Sequence, residues 1–269
     1  MSSLPDPVGN PLRRRLALGA GAAGVLVLAG CAPGKPLRIV FLGGLTGRVS
    51  DLGIGGRNGT QLAVDDLNAA GGIDGRLFEL LSRDDEQNIE LSHTRLQELF
   101  DSGVVWVVGP MTGSVAAAIL PLDHERAVPL ISPLAGAHEF SGRKDAFFRV
   151  VASSVVSAQQ MADAMLKRGL RRLVTVADLR NAVFTKGWAR ALSERLVVGG
   201  GTAMPALEFE AGPGLKFLDL AARIADANAD ANANANADAV AIGASATDSS
   251  ALVQQVRRRS GNSTACSES

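Results

Sequence analysis

Three segments carry the letters of catalytic or cofactor motifs, and each fails on chemistry. Gly243-Ala244-Ser245-Ala246-Thr247 misses G-x-S-x-G at its last position, and no histidine follows it to take the serine proton. Gly19-Ala20-Gly21-Ala22-Ala23-Gly24 spells G-x-G-x-x-G, but an arginine run precedes it instead of an apolar strand. A dinucleotide turn needs strand, turn and helix in that order. Gly53-Ile54-Gly55-Gly56-Arg57-Asn58 loses the third glycine of that fingerprint to Asn58, and no Walker lysine motif occurs. Three histidines and two cysteines are too few for a histidine–cysteine zinc site or a disulfide scaffold, so neither metal nor cofactor is expected. What remains is recognition chemistry. Thr112 and Ser114 flank Gly113 where an apolar strand gives way to a helix, and helix N-terminal N–H groups with two hydroxyls can hold a carboxylate without a fixed cation.

The elements that must place these groups alternate. Residues 37–42 form an apolar run ended by Gly43-Gly44, which reads as a buried strand. A glycine-rich loop is expected over 45–56, then a helix marked by Leu62, Ala63, Leu67 and Ala70 and stopped by Gly71-Gly72. Strands over 77–81, 104–108, 129–131 and 147–151 enclose helices around 91–100 and 115–122. The pattern then restarts with helices at 155–167, 184–196, 215–225 and 251–258 and strands at 173–177, 206–209 and 240–242. Strands separated by helices predict parallel sheets covered on both faces, here an α/β fold of two doubly wound lobes, 37–151 and 152–260. Residues 226–239 alternate alanine with asparagine or aspartate and read as an exposed spacer, and 261–269 as a disordered polar tail.

The charge balance of 27 basic to 27 acidic residues supplies no field for nucleic acid. Arg13, Arg14 and Arg15 precede a thirteen-residue apolar stretch, and Leu28-Ala29-Gly30-Cys31 follows, the order of an export signal. That last segment resembles the lipobox of bacterial lipoproteins, in which the cysteine is acylated and becomes the mature N-terminus. The resemblance implies a signal over 1–30, a tether over 31–36 and a membrane contact through lipidated Cys31 alone. Cleavage there leaves 24 basic and 26 acidic residues, and Cys266 without an intramolecular partner.

Residues 37–258 resemble the Leu/Ile/Val-binding family of bacterial solute-binding proteins, the type I periplasmic receptors of ABC importers. The carriers are Leu67-Asn68-Ala69-Ala70-Gly71-Gly72-Ile73-Asp74-Gly75, Arg83-Asp84-Asp85, Val108-Gly109-Pro110-Met111-Thr112, Val128-Pro129-Leu130-Ile131-Ser132-Pro133 and Phe147-Phe148-Arg149-Val150, in that order. The resemblance implies two lobes that close on a small solute, a branched or small amino acid or an amide, and an inner-membrane permease as partner. It places the ligand against Leu52 in the first loop, Met111, Thr112, Gly113 and Ser114 after the third strand, and Leu134, Ala135 and Gly136 after the fourth. Lobe two contributes Phe184, matching a tyrosine of the family, and Ser245. The chain has no tyrosine, so lobe two offers an apolar face and little hydrogen bonding. The family continues with further strands and a return to lobe one. The resemblance therefore implies an incomplete second lobe, the product of a truncated or frame-disrupted gene.

Structural roles account for several other polar residues. Asp84 and Asp85 read as caps of backbone groups, His93 and His124 as solvated, and His138 as a lesser ligand candidate. Trp106 and Trp188 read as core, and Arg257 to Arg259 as suited to a helix C-terminus. Three further readings stay open: a lipid-anchored ligand sensor, a non-functional relic of the same fold, and, remotely, a Rossmann-like enzyme.

Overall fold

The computed structural model describes residues 34–47, 50–126, 128–229, 237–260 and 265–268. The export signal over 1–30, Cys31 and the start of the tether lie outside them, as does 230–236 of the low-complexity segment.

The first sheet holds β1 (Leu37–Gly43), β2 (Phe78–Asp84), β3 (Trp106–Val108), β4 (Leu130–Ser132) and β5 (Phe147–Arg149), all parallel, in the order β2-β1-β3-β4-β5. One face is formed by Val40, Leu42, Val107 and Leu130, sealed by α2 (Ile89–Phe100) and α3 (Gly113–Arg126) through Leu96, Leu99, Val115 and Ile119. The opposite face carries Ile39, Phe41, Trp106, Val108, Ile131 and Phe148 by register. Helix α1 (Ser50–Ala69) lies over its first part, burying Val64 against Ile39 and Phe78. Towards β5 the cover runs out, and Phe148 is 55% and Val150 75% exposed.

The second sheet has the order β10-β9-β6-β7, from β6 (Arg172–Asp178), β7 (Thr202–Ala203), β9 (Ala239–Gly243) and β10 (Ala265–Glu268), with β8 (Leu207–Phe209) also parallel to β6. Helices α4 (Ser154–Lys167) and α5 (Ala182–Val198) cover its small-residue face, where Trp188 packs with Leu173, Ala239 and Ala241. Helices α6 (Phe217–Ala229) and α7 (Ala246–Ser260) cover the Val174, Val176, Val240 and Ile242 face. The α/β fold with parallel sheets is the expected one. Residues 150–153 join the two lobes.

Five local expectations change. The loop expected over 45–56 is half helix, because α1 starts at Ser50; glycines at 53, 55 and 56 lie inside it, and Leu52 falls in its first turn. Gly53 is required there, since a Cβ would overlap the Gly44 carbonyl. Leu62 and Leu67 mark the helix by their spacing but are exposed, because Val64 and Gly53 face the sheet. Trp106 is half-buried rather than core, tilted over Phe78 with ring centroids 5.7 Å apart. The tail is not without pattern, for Ala265–Glu268 extends the second sheet beside β9. The 226–239 segment is likewise no free spacer at its ends: 226–229 continue α6, and Asp238 is anchored. Its carboxylate accepts from the Arg171 and Arg172 N–H groups at 2.8 and 3.0 Å and from Arg172 Nη2 at 2.7 Å.

Candidate functional site

In an open parallel sheet the crevice opens at the carboxyl ends of the strands where the winding direction reverses. In lobe one the reversal lies between β1 and β3, so the loops after Gly43 and Val108 border it. In lobe two it lies between β6 and β9, bordered by the turns after Asp178 and Gly243.

The lobe-one side is built by carboxylate and hydroxyl caps. Asp84, at the end of β2, accepts from the Leu45 N–H at 2.7 Å and the Thr46 hydroxyl at 2.5 Å, pinning the first loop. Burial alone would raise its pKa, but the Thr46 hydroxyl and the Glu86 and Leu45 N–H groups together hold it below the ordinary value. Asp85 is buried, and desolvation pushes its pKa up in spite of the Gln87 N–H and the Ser92 hydroxyl. Both act as caps, as expected. Ser132 Oγ donates to the Pro110 carbonyl at 2.6 Å and accepts from the Ala135 N–H at 2.9 Å, fastening the third- and fourth-strand loops together.

The expected ligand residues divide accordingly. Thr112, Gly113 and Ser114 open α3, with the Thr112 carbonyl accepting from the Ala116 N–H at 3.0 Å. Gly136 lies against the Phe184 ring, and Phe184 packs on the cores of both lobes. These five converge. Met111 and Ala135 turn inward: Met111 fills the space beneath Gly43 and Gly56, and Ala135 is core. Leu134 is exposed and Leu52 half-buried on α1. Ser245 belongs to lobe two's own scaffold, where its hydroxyl donates to Asp248 Oδ2 at 2.9 Å and accepts from the Asp248 N–H at 3.1 Å. His138 is exposed, 3.1 Å from the Ser153 hydroxyl, and the side chain of His124 lies outside the described ones.

Sequence reasoning put the loops 181–186 and 243–248 on the ligand side of lobe two but assigned no role to Asn181 or to the Asp178–Arg180–Asp248 cluster. Asn181 directly precedes the apolar run of α5, the position of a helix cap, and that was the available signal. Its Oδ1 instead accepts from the Ser114 N–H of the opposite lobe at 3.1 Å. Ser114 Oγ in turn accepts from the Val183 N–H at 3.5 Å. The N-termini of α3 and α5 therefore meet, and the residues at the junction (Thr112 to Ser114, Asn181 to Phe184) carry no charge. A cavity of about 730 Å³ lies on the flank of α5 between Lys186, Arg190, Met204 and Glu208 and reaches Ala182 and Val183 at the edge of this junction. No group of three metal-binding side chains occurs among the described residues, and none of the described helices is long and apolar enough to cross a membrane.

Residues 36–263 match the family model described as periplasmic binding protein. The chain belongs to that family. A Leu/Ile/Val-binding protein of Rhizobium johnstonii is 29% identical over 165 residues, covering 61% of this chain and 45% of its own length. A homologue from Brucella melitensis is 29% identical over 157 residues, covering 58% of this chain and 42% of itself. Among solved structures, the branched-chain amino acid binding protein LivJ of Streptococcus pneumoniae, in complex with isoleucine, superposes with a TM-score of 0.75 at 24% identity. That match covers 87% of this chain and 64% of LivJ. A solute-binding protein of Rhodopseudomonas palustris in complex with 3,4-dihydroxybenzoic acid gives 0.73 at 19% identity, over 87% of this chain and 61% of that one. The chain thus spans under half the length of the curated relatives and about two thirds of the structural ones.

Proposed function

We propose that this periplasmic binding protein is the solute receptor of an ABC importer, capturing a small carboxylate between its lobes and passing it to an inner-membrane permease without chemical change. The observation that carries the reading is the meeting of two helix N-termini, one per lobe, at the switch points of both sheets. Helix N-terminal N–H groups and the positive ends of two helix dipoles favour a negative oxygen there, and no cation is needed. Branched-chain amino acids are the first candidates, supported by the names of the relatives and the apolar wall of Phe184 and Gly136. Thr112, Gly113, Ser114, Gly136 and Phe184 make the contacts, with Leu52 and Leu134 at the rim. Met111 and Ala135 contribute through backbone alone.

A second reading, an aromatic carboxylate, is favoured by one feature. The two buried carboxylates at the lobe-two edge, Asp178 and Asp248, are already paired with Arg180, at 3.1 and 3.0 Å from its Nη2, rather than turned to a ligand ammonium. A thermal-shift panel of leucine, isoleucine, valine, acetamide and benzoate separates the readings. At a hundred times its dissociation constant the right solute adds about 2.7 kcal/mol. A shift with leucine alone supports the first reading and a shift with benzoate alone the second; no shift with any of them overturns both. Export and anchoring through Cys31 belong to the same proposal. Labelled fatty acid should enter the wild-type chain expressed in bacteria and be lost in Cys31→Ala; equal labelling of both would remove the anchor.

A further inference from the structure

We propose that Asn181 is a built-in latch: it holds the lobes together without ligand by occupying the backbone donor that a ligand carboxylate needs. The inference rests on the carboxylate-binding reading above and adds a competitor to it.

Two helix N-termini facing each other present like partial charges, and without an anion between them their approach is unfavourable. The chain meets this by trading caps across the lobes. The Asn181 carboxamide leaves its own helix without a side-chain cap and serves α3, while the Ser114 hydroxyl serves α5. Gly113 makes the trade possible. A Cβ at that position would sit 3.3 Å from Asn181 Oδ1 and 3.4 Å from the Phe184 backbone nitrogen, tighter than ordinary contact for the first and at its limit for the second. The glycine leaves open the space that Asn181 fills.

The carboxamide is delivered by a stiff support. Asn181 ends a short 3-10 turn, Leu179–Asn181, whose second N–H, that of Arg180, is accepted by Asp178 Oδ1 at 3.1 Å. The same oxygen accepts from the Ala211 N–H at 3.2 Å. The Arg180 guanidinium bridges Asp178 and Asp248, and Asp248 is fixed by Ser245. Both carboxylates are buried, so the turn has little freedom to carry Asn181 away. The Ser245 cluster therefore acts as a positioning group one step behind the junction. A carboxylate makes charge-assisted bonds about twice as strong as a carboxamide's, so it can displace Asn181 from the Ser114 N–H. The displaced bond is the same whatever solute enters, so the latch lowers the affinity of every carboxylate by one factor.

The test uses the full chain and its Asn181→Ala and Asn181→Asp variants, with small-angle scattering of the ligand-free proteins and calorimetric titration with leucine and benzoate. Losing a cap worth about 1 kcal/mol should open the ligand-free Asn181→Ala protein. It should also tighten whichever carboxylate binds by about five-fold, and by the same factor if both bind. Asn181→Asp, which places a full charge on the same donor, should stay closed and weaken binding; it keeps the test alive should the alanine variant fail to fold. Unchanged scattering of Asn181→Ala, or weaker binding by it, overturns the latch, the latter by making Asn181 a ligand contact. Opening of Asn181→Ala with neither protein binding either solute supports the latch and counts against the carboxylate reading instead.

Discussion

Single residues in this protein matter most where one side chain satisfies several backbone groups. Asp238 is such a case, closing the low-complexity segment onto the start of β6 through four bonds from Arg171 and Arg172. The hydrogen bond from the Arg172 side chain lowers its pKa from 3.8 against the opposing effect of burial, and the two backbone N–H groups lower it further. A carboxylate whose folded pKa is depressed contributes stability above its unfolded value and loses it as pH falls through the folded one. Asp238→Ala should therefore cost about 1–3 kcal/mol near neutrality and flatten the acid side of the stability profile below about pH 4, read by denaturant melts across pH. Asp85 works in the opposite direction, since its raised pKa favours the protonated form in the fold. Arg180→Met leaves Asp178 and Asp248 facing each other. Loss of one partner from a fully buried pair costs about 3–5 kcal/mol. The Arg180 side chain is 31% exposed, so a loss of about 2–3 kcal/mol is expected in chemical denaturation.

At the scale of elements, period and punctuation located nearly every helix and most strands, because buried apolar spacing is written locally. The start of α1 was illegible for a physical reason. Glycine has poor helix propensity, and three of them between 53 and 56 read as loop until packing against β1 requires one of them. That makes α1 a place to separate propensity from packing. Gly55 and Gly59 have no heavy atom within 4 Å of an added Cβ, so Gly55→Ala and Gly59→Ala should each raise stability by about 0.5–1 kcal/mol. Gly53→Ala, driven into the Gly44 carbonyl, should lower the melting temperature instead. Equal shifts at all three positions would remove the packing argument. Strands β7 and β10 were missed because two to four residues are too few to show a period.

Across the whole molecule the two lobes differ in cover. Lobe two is sealed on both faces of its sheet, whereas lobe one thins from α1 towards β5. All-parallel sheets ordinarily have both faces covered, so the Phe148 and Val150 side of lobe one is apolar surface left in water. Core and surface phenylalanines of that one face should therefore behave oppositely. Phe41→Ala, fully buried, should cost about 3–5 kcal/mol, while Phe148→Ser should change stability by less than about 0.5 kcal/mol, both read from urea melts. A comparable loss at Phe148 would mean that the face is covered in solution.

By itself the sequence determined the α/β class, the alternation of strand and helix, and the five ordered segments that carry the family, because each depends on local spacing of apolar, turn and cap residues. It also placed Thr112, Gly113, Ser114, Gly136 and Phe184 near the crevice, by way of the resemblance. Only the tertiary structure decided which of the expected residues face one another. Met111 turns inward beneath Gly43 and Gly56, Ala135 joins the lobe-one core, and Ser245 is claimed by Asp248. Asn181 meets Ser114 across 67 residues of chain, a contact fixed by how the lobes pack and not by any pattern along either segment.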